Sequence, residues 1–371
     1  MNKNKSVLGI LAIKLCLVSS FIPSKKTFSQ TDTSSLSTSK TVLLPLITKS
    51  IETDWSFGLA TIFTFKMNKK DTISRTSNIG VIALYSLKKQ FVAVINGNQY
   101  FKNEKLILNE QLSYSSFPDK FWGIGRSTNA SEEEPYSFNQ YYLFAHLMKN
   151  LGNRFFVGAI VEHQNVFNLT YNNGGLFDKE NVAGKNGYFT TGIGVSLTKD
   201  SRNNAFAPDN GLFAQLFFTN YSKALGSSYN FSTLVIDVRK YIPIATNHVL
   251  ALQVYSLNNI GKSIPLRNLG ALGGANSMRG FYNGRYRDNN LMVFQSEYRL
   301  PVYKGIGIAG FGSIGNVGNS LADFHLNDIK YSYGAGIRVA LNKKEKLNLR
   351  IDYGFGKGGN NGLYFQIGEA F

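Results

Sequence analysis

The sequence predicts an all-β protein, a 16-stranded antiparallel transmembrane β-barrel, and three observations support this fold class. Only 17% of the 371 residues are charged, whereas 13% are aromatic and 36 are glycine. Apolar and polar residues alternate in segment after segment, which is typical of strands with two different faces. After residue 21 no apolar run reaches the roughly 20 residues of a membrane-spanning helix. Alternation conceals an apolar outer face behind a modest average hydropathy, as a membrane barrel requires.

The beginning of the chain predicts a secretory signal peptide over residues 1–29, followed by a short polar leader over 30–40. Two early lysines precede a mostly apolar stretch, and Thr27-Phe28-Ser29 offers a small-x-small cleavage site. A lipoprotein signal at Cys16 is the competing interpretation, although the Lys-Leu pair before this cysteine fits such a signal poorly. Since Cys16 is the only cysteine, the mature chain would be exported and free of cysteine.

The excess of basic residues indicates which partners to expect. Lysine and arginine exceed aspartate and glutamate by 40 − 23 = 17. Nucleic-acid binders concentrate such charge in a stripe, helix or tail, but here it is scattered and no nucleic-acid motif is present. We therefore expect no nucleic acid, and anionic outer-membrane lipid and lipopolysaccharide as the counter-charge. No residue pattern indicates a metal site or a cofactor.

The strands follow one another from the end of the leader to the last residue, so the barrel is predicted over residues 41–371. In the segment 55–65, large apolar residues occupy most odd positions and small ones most even positions. An even number of strands returns both chain ends to the same side of a membrane. Sixteen strands are predicted to begin near Thr41, Trp55, Ser77, Gln90, Glu104, Phe138, Arg154, Gly187, Gly211, Asn230, His248, Leu291, Gly305, Lys330, Lys346 and Asn361.

The connections between these strands alternate in length. Three long ones, 116–137, 165–185 and 258–290, fall on the predicted outer side, while the inner turns are short except for 66–76 and 199–210. Long outer loops with short periplasmic turns are the asymmetry expected of bacterial outer-membrane barrels. A soluble β-sandwich is the alternative, but it rarely needs sixteen strands in one run.

Four segments resemble the BamA/TamA family of outer-membrane barrels. Gly273-Gly-Ala-Asn-Ser-Met-Arg-Gly-Phe-Tyr282 is similar to the family's G-G-x-x-x-V-R-G-F/Y loop, with Met278 in place of valine. Ser296-Glu-Tyr-Arg-Leu-Pro301 matches an E-x-R-x-P strand end, and Leu363 to Phe371 resembles the family's terminal strand. The fourth segment is similar to the turn D-x-R-D-N-x-x-x-P-x-x-G, and its matching residues are Asp200, Arg202, Asn204, Pro208 and Gly211.

The resemblance implies a role for the loop arginine. In the family this residue, here Arg279 followed by Gly280 and Phe281, folds into the lumen and pairs with acidic groups of the wall. Glu297 matches one partner position, and Ser313 stands where the second acidic residue would be. A guanidinium would make a charge-assisted bond to the first and only a neutral bond to the second, which implies a weakened clamp.

The resemblance also implies a poorly paired seam between the first and last strands that opens sideways. Pro45 removes a ladder donor from the first strand, and Gly368 adds flexibility to the last. The alternative is that Pro45 only marks where the first strand begins. Phe365, Ile367 and Phe371 continue the alternation of the last strand, which predicts that it serves both as wall and as C-terminal assembly signal.

Family members usually carry POTRA domains before the barrel, and the interval from Ser29 to Thr41 has no room for one. The resemblance thus implies a barrel-only member in the outer membrane of a Gram-negative bacterium. Its implied role is insertion or translocation of client proteins, together with a separate periplasmic or lipoprotein subunit. The alternative is a passive channel or a structural surface barrel. No catalytic motif is present, so no enzyme is expected, although an outer-membrane lipid hydrolase with a Ser–His pair needs no motif.

Overall fold

The computed structural model describes residues 40–68, 74–101, 103–343 and 346–371. The predicted signal peptide, and the predicted leader up to residue 39, lie outside the described residues. Sixteen strands close into one antiparallel barrel, which confirms the predicted fold class. Among the described residues there is no helix with the length and hydropathy needed to cross a membrane.

The barrel wall contains β1 (Lys40–Ser50), β2 (Asp54–Phe65), β3 (Ser77–Ser86), β4 (Phe91–Phe101), β5 (Leu106–Phe121), β6 (Glu134–Gly152), β7 (Phe155–Thr170), β8 (Tyr188–Asp200), β9 (Gly211–Tyr221), β10 (Phe231–Ala245), β11 (His248–Ile260), β14 (Asn290–Tyr303), β15 (Ile306–Gly318), β16 (Lys330–Asn342), β17 (Leu347–Gly356) and β18 (Asn360–Ile367). Two short strands between β11 and β14 form a separate hairpin, β12 (Gly270–Leu272) and β13 (Tyr286–Asp288). The connections also contain the helix α1 (Leu176–Lys179) and 3₁₀ turns at Lys223–Leu225, Leu266–Asn268, Leu321–Asp323 and Leu326–Asp328.

Each wall strand pairs with its neighbours along the chain, β11 pairs with β14 across the hairpin, and β1 pairs with β18 to close the barrel. Fifteen of the predicted strand starts lie within two residues of the observed ones. The exception is β6, which begins at Glu134 rather than near Phe138. The ladder with β5 continues through Pro135 to this residue, because a proline is tolerated at the end of a strand.

The outer face of the wall is apolar and the inner face is polar. In β8, for example, Ile193 and Val195 are 53% and 57% exposed on the outside, whereas Thr190, Ser196 and Thr198 are buried inside. Large apolar side chains are exposed in this way on every wall strand from β1 to β18. Such a continuous apolar exterior is stable in lipid and not in water, so the barrel is a transmembrane one.

The two ends of the barrel differ. The loop end carries the long connections 122–133, 171–187 and 261–289, and the turn end carries mostly short ones. The turn-end connections 66–76 and 201–210 are the longer exceptions, as the sequence predicts. Residues 368–371 also lie at the turn end, since β18 runs in that direction.

Replacing Val195 with arginine tests the direction of the outer face. A charge at the bilayer midplane of a barrel costs about 2–4 kcal/mol, and this side chain points outward in the middle of β8. We expect Val195→Arg to lower the free energy of unfolding in lipid vesicles by that amount. Leu225→Arg, at an exposed loop-end position, is the control and should change it far less. Equal effects would contradict the assignment of faces.

Candidate functional site

The connection 261–289, called the lumen loop below, turns back into the barrel. Its tip passes so close to the inner face of β17 that side chains are excluded on both sides. A Cβ atom on Gly280, whose φ is +111°, would lie 2.8 Å from the carbonyl carbon of Phe355. A Cβ atom on Gly354 would lie 2.7 Å from the carbonyl carbon of Arg279. Glycine at both positions lets the loop lie flat against the wall.

This close approach places Arg279 inside the lumen, where 1% of its surface is exposed. Its Nη2 lies 2.6 Å from Glu297 Oε2 on β14, and its Nη1 donates to Asp352 Oδ2 on β17 at 2.5 Å. The guanidinium also stacks on Phe311, with its carbon 3.5 Å from the ring centroid. Two carboxylates and an aromatic face thus compensate a fully buried charge.

The prediction of a hydrogen bond from Arg279 to Ser313 is wrong. Ser313 Oγ lies 2.8 Å from Ser332 Oγ on the adjacent strand β16, so it serves the wall rather than the loop. The second partner is the carboxylate of Asp352, one strand further on. The arginine is therefore held by two acidic groups, and the weakened clamp implied by a serine does not arise.

The two carboxylates that bind the loop arginine also bind arginines of the wall. Glu297 accepts a hydrogen bond from Arg299 Nε at 2.7 Å, and Arg338 Nη2 lies 3.2 Å from the same carboxylate. Arg338 also reaches Asp352 at 2.6 Å and Glu369 at 2.7 Å. These contacts form one continuous ion network, which we call the lumen network: Arg279, Arg299, Arg338, Arg350, Glu297, Asp352 and Glu369.

Residues 368–371, called the tail segment below, leave the wall and enter the lumen. Gly368, with φ of +88°, ends the strand, and its N–H donates to the carbonyl of Asn348. Phe371 then packs against Tyr241, Val249 and Ala251 inside the barrel and is 4% exposed. The expectation that Phe371 continues the outward alternation is therefore wrong, whereas Phe365 and Ile367 do lie on the strand β18.

The tail segment explains why the seam between β1 and β18 is short. The register of this ladder consists of one pair, Lys49 with Phe365. Because the strands are antiparallel, Ile47 lies opposite Ile367, where β18 ends. Residues 40–46 of β1 extend beyond that point and pair only with β2 among the described residues. Among the residues that the structure describes, one edge of this half of β1 consequently has no strand beside it.

Pro45 lies within residues 40–46, the part of β1 that pairs with β2 but not with β18. It is the sixth residue of β1 and is opposite Leu59 of β2. The alternative interpretation, in which Pro45 marks the start of the strand, is wrong because the strand begins at Lys40. A proline that lacks a backbone N–H is best tolerated in a strand with a free edge.

The lumen loop contacts both strands of the seam. The backbone N–H of Gly280 donates to the hydroxyl of Tyr364 on β18 at 2.9 Å. The N–H of Asn283 donates to Glu52 Oε1 at 3.0 Å, in the turn that follows β1. Both acceptor side chains are fully buried. The loop therefore fastens the two seam strands from inside the barrel.

Asp119 holds the base of the lumen loop at the loop end. Its carboxylate accepts hydrogen bonds from Tyr136 of β6 at 2.6 Å and from Tyr282 of the loop at 3.0 Å. Arg287 and Arg267 lie 3.4 and 3.9 Å from it. Burial, together with this neighbouring carboxylate, holds the pKa of Tyr282 well above its ordinary value, so the phenol remains a donor.

The predicted turn motif forms a compact turn-end structure. Arg202 makes a bidentate pair with Asp200, at 2.8 and 2.9 Å, and stacks on a phenylalanine of β9. Asn204 Oδ1 accepts the N–H groups of residues 206 and 207. Gly211 has φ of +117°, and a Cβ there would lie 2.5 Å from the carbonyl oxygen of residue 201. Pro208 lines a cavity of about 500 Å³ that opens at this end. These contacts brace the base of the barrel.

The structure also contains one serine–histidine pair. His146 Nε2 lies 2.6 Å from Ser196 Oγ, across Gly158 of the intervening strand. A Cβ on that glycine would lie 2.5 Å from both atoms, so glycine is required for the contact. Both side chains are at most 1% exposed, which leaves the hydroxyl inaccessible to a lipid substrate. The pair links three strands of the wall. No group of side chains in the described part of the chain is suited to hold a metal ion.

Sequence reasoning did not find Asp352, Tyr364, Glu52 or the tail segment. The only sequence feature that indicates Asp352 is the alternation within β17. Arg350 and Asp352 alternate with apolar residues, so both face the lumen. Glu52 lies in a three-residue turn without a motif, and the tail segment continues the alternation of β18 in sequence. Their contacts depend on the closed barrel.

Comparison with known proteins gives consistent matches. A family model described as the Omp85 superfamily domain matches residues 75–371. Among curated proteins no relative matches the chain. A BamA structure from Haemophilus ducreyi lacking POTRA domains 1–3 is similar in fold, with TM-score 0.59, 12% identity, and coverage of 89% of this chain and 70% of that one.

Two structures of CdiB are similar as well. The one from Acinetobacter baumannii has TM-score 0.56 and 12% identity, and covers 89% of this chain and 59% of that one. The one from Escherichia coli has TM-score 0.58 and 10% identity, with coverage of 86% and 62%. This chain spans less than two thirds of either CdiB chain. At these identities the likeness concerns the barrel fold.

A double-mutant cycle tests whether Arg279 and Asp352 act together. Residues in contact within one ion network show coupling energies of about 0.5–3 kcal/mol. We expect Arg279→Ala and Asp352→Asn to couple by that amount in the free energy of unfolding. Asp237→Asn is the matched control, because Asp237 pairs with Arg239 on β10 and not with the loop. Additive effects of the first pair would contradict the contact.

Hydrogen exchange tests the fastening of the seam strands. Tyr364→Phe and Glu52→Ala each remove a hydrogen bond to the loop tip, of about 0.5–1.5 kcal/mol. We expect amide exchange in residues 276–284 to accelerate roughly 2- to 13-fold in each variant. Glu52→Gln keeps an acceptor oxygen and is the control. Unchanged exchange in both variants would show that the tip is held without them.

Proposed function

The chain belongs to the Omp85 superfamily, and from this premise we propose that it assists the insertion or translocation of proteins at the outer membrane of a Gram-negative bacterium. The observation on which the proposal rests is the seam. The ladder between β1 and β18 contains one residue pair, while the other wall ladders contain eight or more. A barrel that exchanges strands or segments with a client needs one ladder that opens at low cost.

The free edge of β1 supports this proposal chemically. Backbone N–H and C=O groups that lack partners in lipid are costly, and a strand from another chain satisfies them by β-augmentation. Residues 40–46 offer such an edge beside the apolar exterior. A client strand that pairs there gains hydrogen bonds and remains in contact with the bilayer.

The lumen loop and the tail segment support a gated rather than an open barrel. The ion pairs of the lumen network hold the lumen loop inside the barrel. The tail segment occupies the lumen at the turn end. Both are attached to strands of the seam, the loop by hydrogen bonds and the tail by covalent continuity with β18. Movement at the seam is thereby coupled to movement of both plugs.

The asymmetry of the barrel suggests its orientation. Long connections face outward and short turns face the periplasm in outer-membrane barrels. In this orientation the loop end contacts lipopolysaccharide, and the turn end with its cavity near Pro208 and Asp209 faces the periplasm. In the proposed function a separate periplasmic or lipoprotein subunit delivers clients to that end.

The second candidate is a passive channel or a structural surface barrel. Among the described residues, buried polar atoms of Gln140, Gln164 and Gln215 on the inner wall have no protein partner, and enclosed water molecules would satisfy them. A wall that holds water is compatible with a passive channel. Single-channel conductance separates the two functions. A lumen obstructed by the loop gives small, fluctuating currents, and a passive channel gives large, steady ones.

A disulfide across the seam tests the proposed function. Lys49→Cys with Phe365→Cys joins the one residue pair of this ladder, and no cysteine other than Cys16 complicates it. In proteoliposomes that insert a denatured eight-stranded barrel, oxidation should reduce the insertion rate at least tenfold. Reductant should restore it.

The control places the same disulfide within a complete ladder. Tyr353→Cys with Leu363→Cys joins β17 to β18 at another directly opposed pair, also on the outer face. This variant should insert clients at the wild-type rate under oxidation. If the locked seam works as well as the control, lateral opening is excluded and the passive barrel becomes the better explanation.

A further inference from the structure

A second group of cations lies at the loop end, apart from the lumen network. Arg285 of the lumen loop and Lys330, the first residue of β16, lie on the ring of Tyr286, at 4.5 and 4.7 Å from its centroid. Arg285 and Lys330 are 4% and 8% exposed. Lys357, in the connection between β17 and β18, is half-buried and repels the ammonium of Lys330. Three positive charges therefore converge, and two of them, Arg285 and Lys330, have little water around them.

The polar partners of these three side chains are neutral. Arg285 donates to the hydroxyl and the carbonyl of Thr128 at 2.8 and 2.9 Å. Lys330 and Lys357 each donate to a backbone carbonyl, of Asp328 and of residue 329, both at 3.2 Å. Within the described part of the chain, none of the three forms an ion pair with a carboxylate.

The nearby carboxylates have other partners. Asp328 pairs with Arg126 Nε at 2.7 Å, and Asp323 lies 4.0 Å from the same guanidinium. Asp288 accepts the N–H of residue 289, and burial raises its pKa. Glu133 pairs with a lysine at the end of β5 at 2.7 Å. The charge of the three cations is thus compensated only in part, by Asp328 near Lys330 and by Glu133 near Arg285.

Chemistry indicates what would compensate that charge. A guanidinium has five N–H donors and an ammonium three, so donors remain free on all three side chains. Burying a charge without a counter-charge is costly, and a bound anion removes the cost. A phosphate group has several acceptor oxygens and up to two negative charges, which suits one guanidinium and two ammonium groups. We propose that Arg285, Lys330 and Lys357 form a binding site for a phosphate group at the loop end.

The site faces the interior of the barrel mouth. Lys330 and Ser332 point inward on β16, whereas Tyr331 between them is 47% exposed on the outer wall. Access is from the loop end, where Lys357 is half-buried and the side chain of Arg126 is 30% exposed. The phosphate belongs either to free phosphate and phosphorylated solutes or to a lipid head group that reaches over the rim.

Binding of inorganic phosphate to the full-length barrel in nanodiscs tests the site. Isothermal titration should show saturable binding in wild type that chloride at the same ionic strength does not reproduce. Lys330→Met and Lys357→Met keep most of the side-chain volume. Each should weaken phosphate binding and so raise the apparent Kd at least tenfold. Lys223→Met, at an exposed loop-end lysine, is the control and should bind as wild type does.

Nanodiscs containing lipid A or dephosphorylated lipid A distinguish the two sources. A rise in thermal stability with the phosphorylated lipid alone, lost in Lys330→Met, supports the site with a lipid head group as its ligand. Phosphate binding that is unchanged in both methionine variants overturns the proposal, as does the absence of any response to phosphate and to lipid A. Heat-modifiable gel migration verifies that each variant is folded, and Lys357→Met, at the half-buried position, perturbs packing least.

Discussion

The fully buried charge of Arg279 is the interaction on which the rest of the structure depends. A guanidinium inside a barrel lumen must be compensated, and isolated burial of such a charge costs several kcal/mol even after relaxation, on the order of the whole stability of a domain. Glu297 and Asp352 provide the compensation from opposite sides of the tip. The glycines at positions 280 and 354 allow it, because they bring the loop backbone into contact with the wall. Loop, wall and seam are therefore positioned by one ion cluster.

The composition of the lumen network makes this cluster reversible. With the loop in place it contains four arginines and three carboxylates. If Arg279 leaves, three arginines and three carboxylates remain, and Glu297 keeps its contacts with Arg299 and Arg338. Withdrawal of the loop thus leaves Glu297 and Asp352 paired with wall arginines rather than orphaned. A structure built in this way can release its plug at a smaller cost than a simple buried pair would impose.

The fold can be predicted from the sequence more completely than the site, and the reason is physical. Strand positions follow from side-chain alternation along the chain, which is a local property. Only the start of β6 differs by more than two residues, because its ladder with β5 continues past Pro135 to Glu134. The pair of Arg279 and Glu297 was reached from a motif. The motif places the second acidic partner of Arg279 on β15, but in the structure this partner is Asp352 on β17, two strands away. No local sequence pattern indicates that the acidic residue lies on a different strand. Phe371 was misplaced because a left-handed Gly368 redirects the chain without changing the alternation of the sequence.

The same redirection fixes the dimensions of the seam. Because the tail segment turns inward after Ile367, residues 40–46 of β1 have no neighbouring strand on one side within the described part of the chain. Seven strand residues span about 23 Å along the strand, and with a strand tilt of about 40° they cover on the order of 18 Å of the roughly 25 Å apolar band. In the proposed function an incoming strand can therefore pair with β1 over the turn-end part of the apolar band without displacing β18 from its one registered pair. In the proposed function the inward tail has a consequence beyond closing the turn end. Among the described residues it leaves the edge of residues 40–46 open, and the gain from pairing that edge favours entry of a client strand.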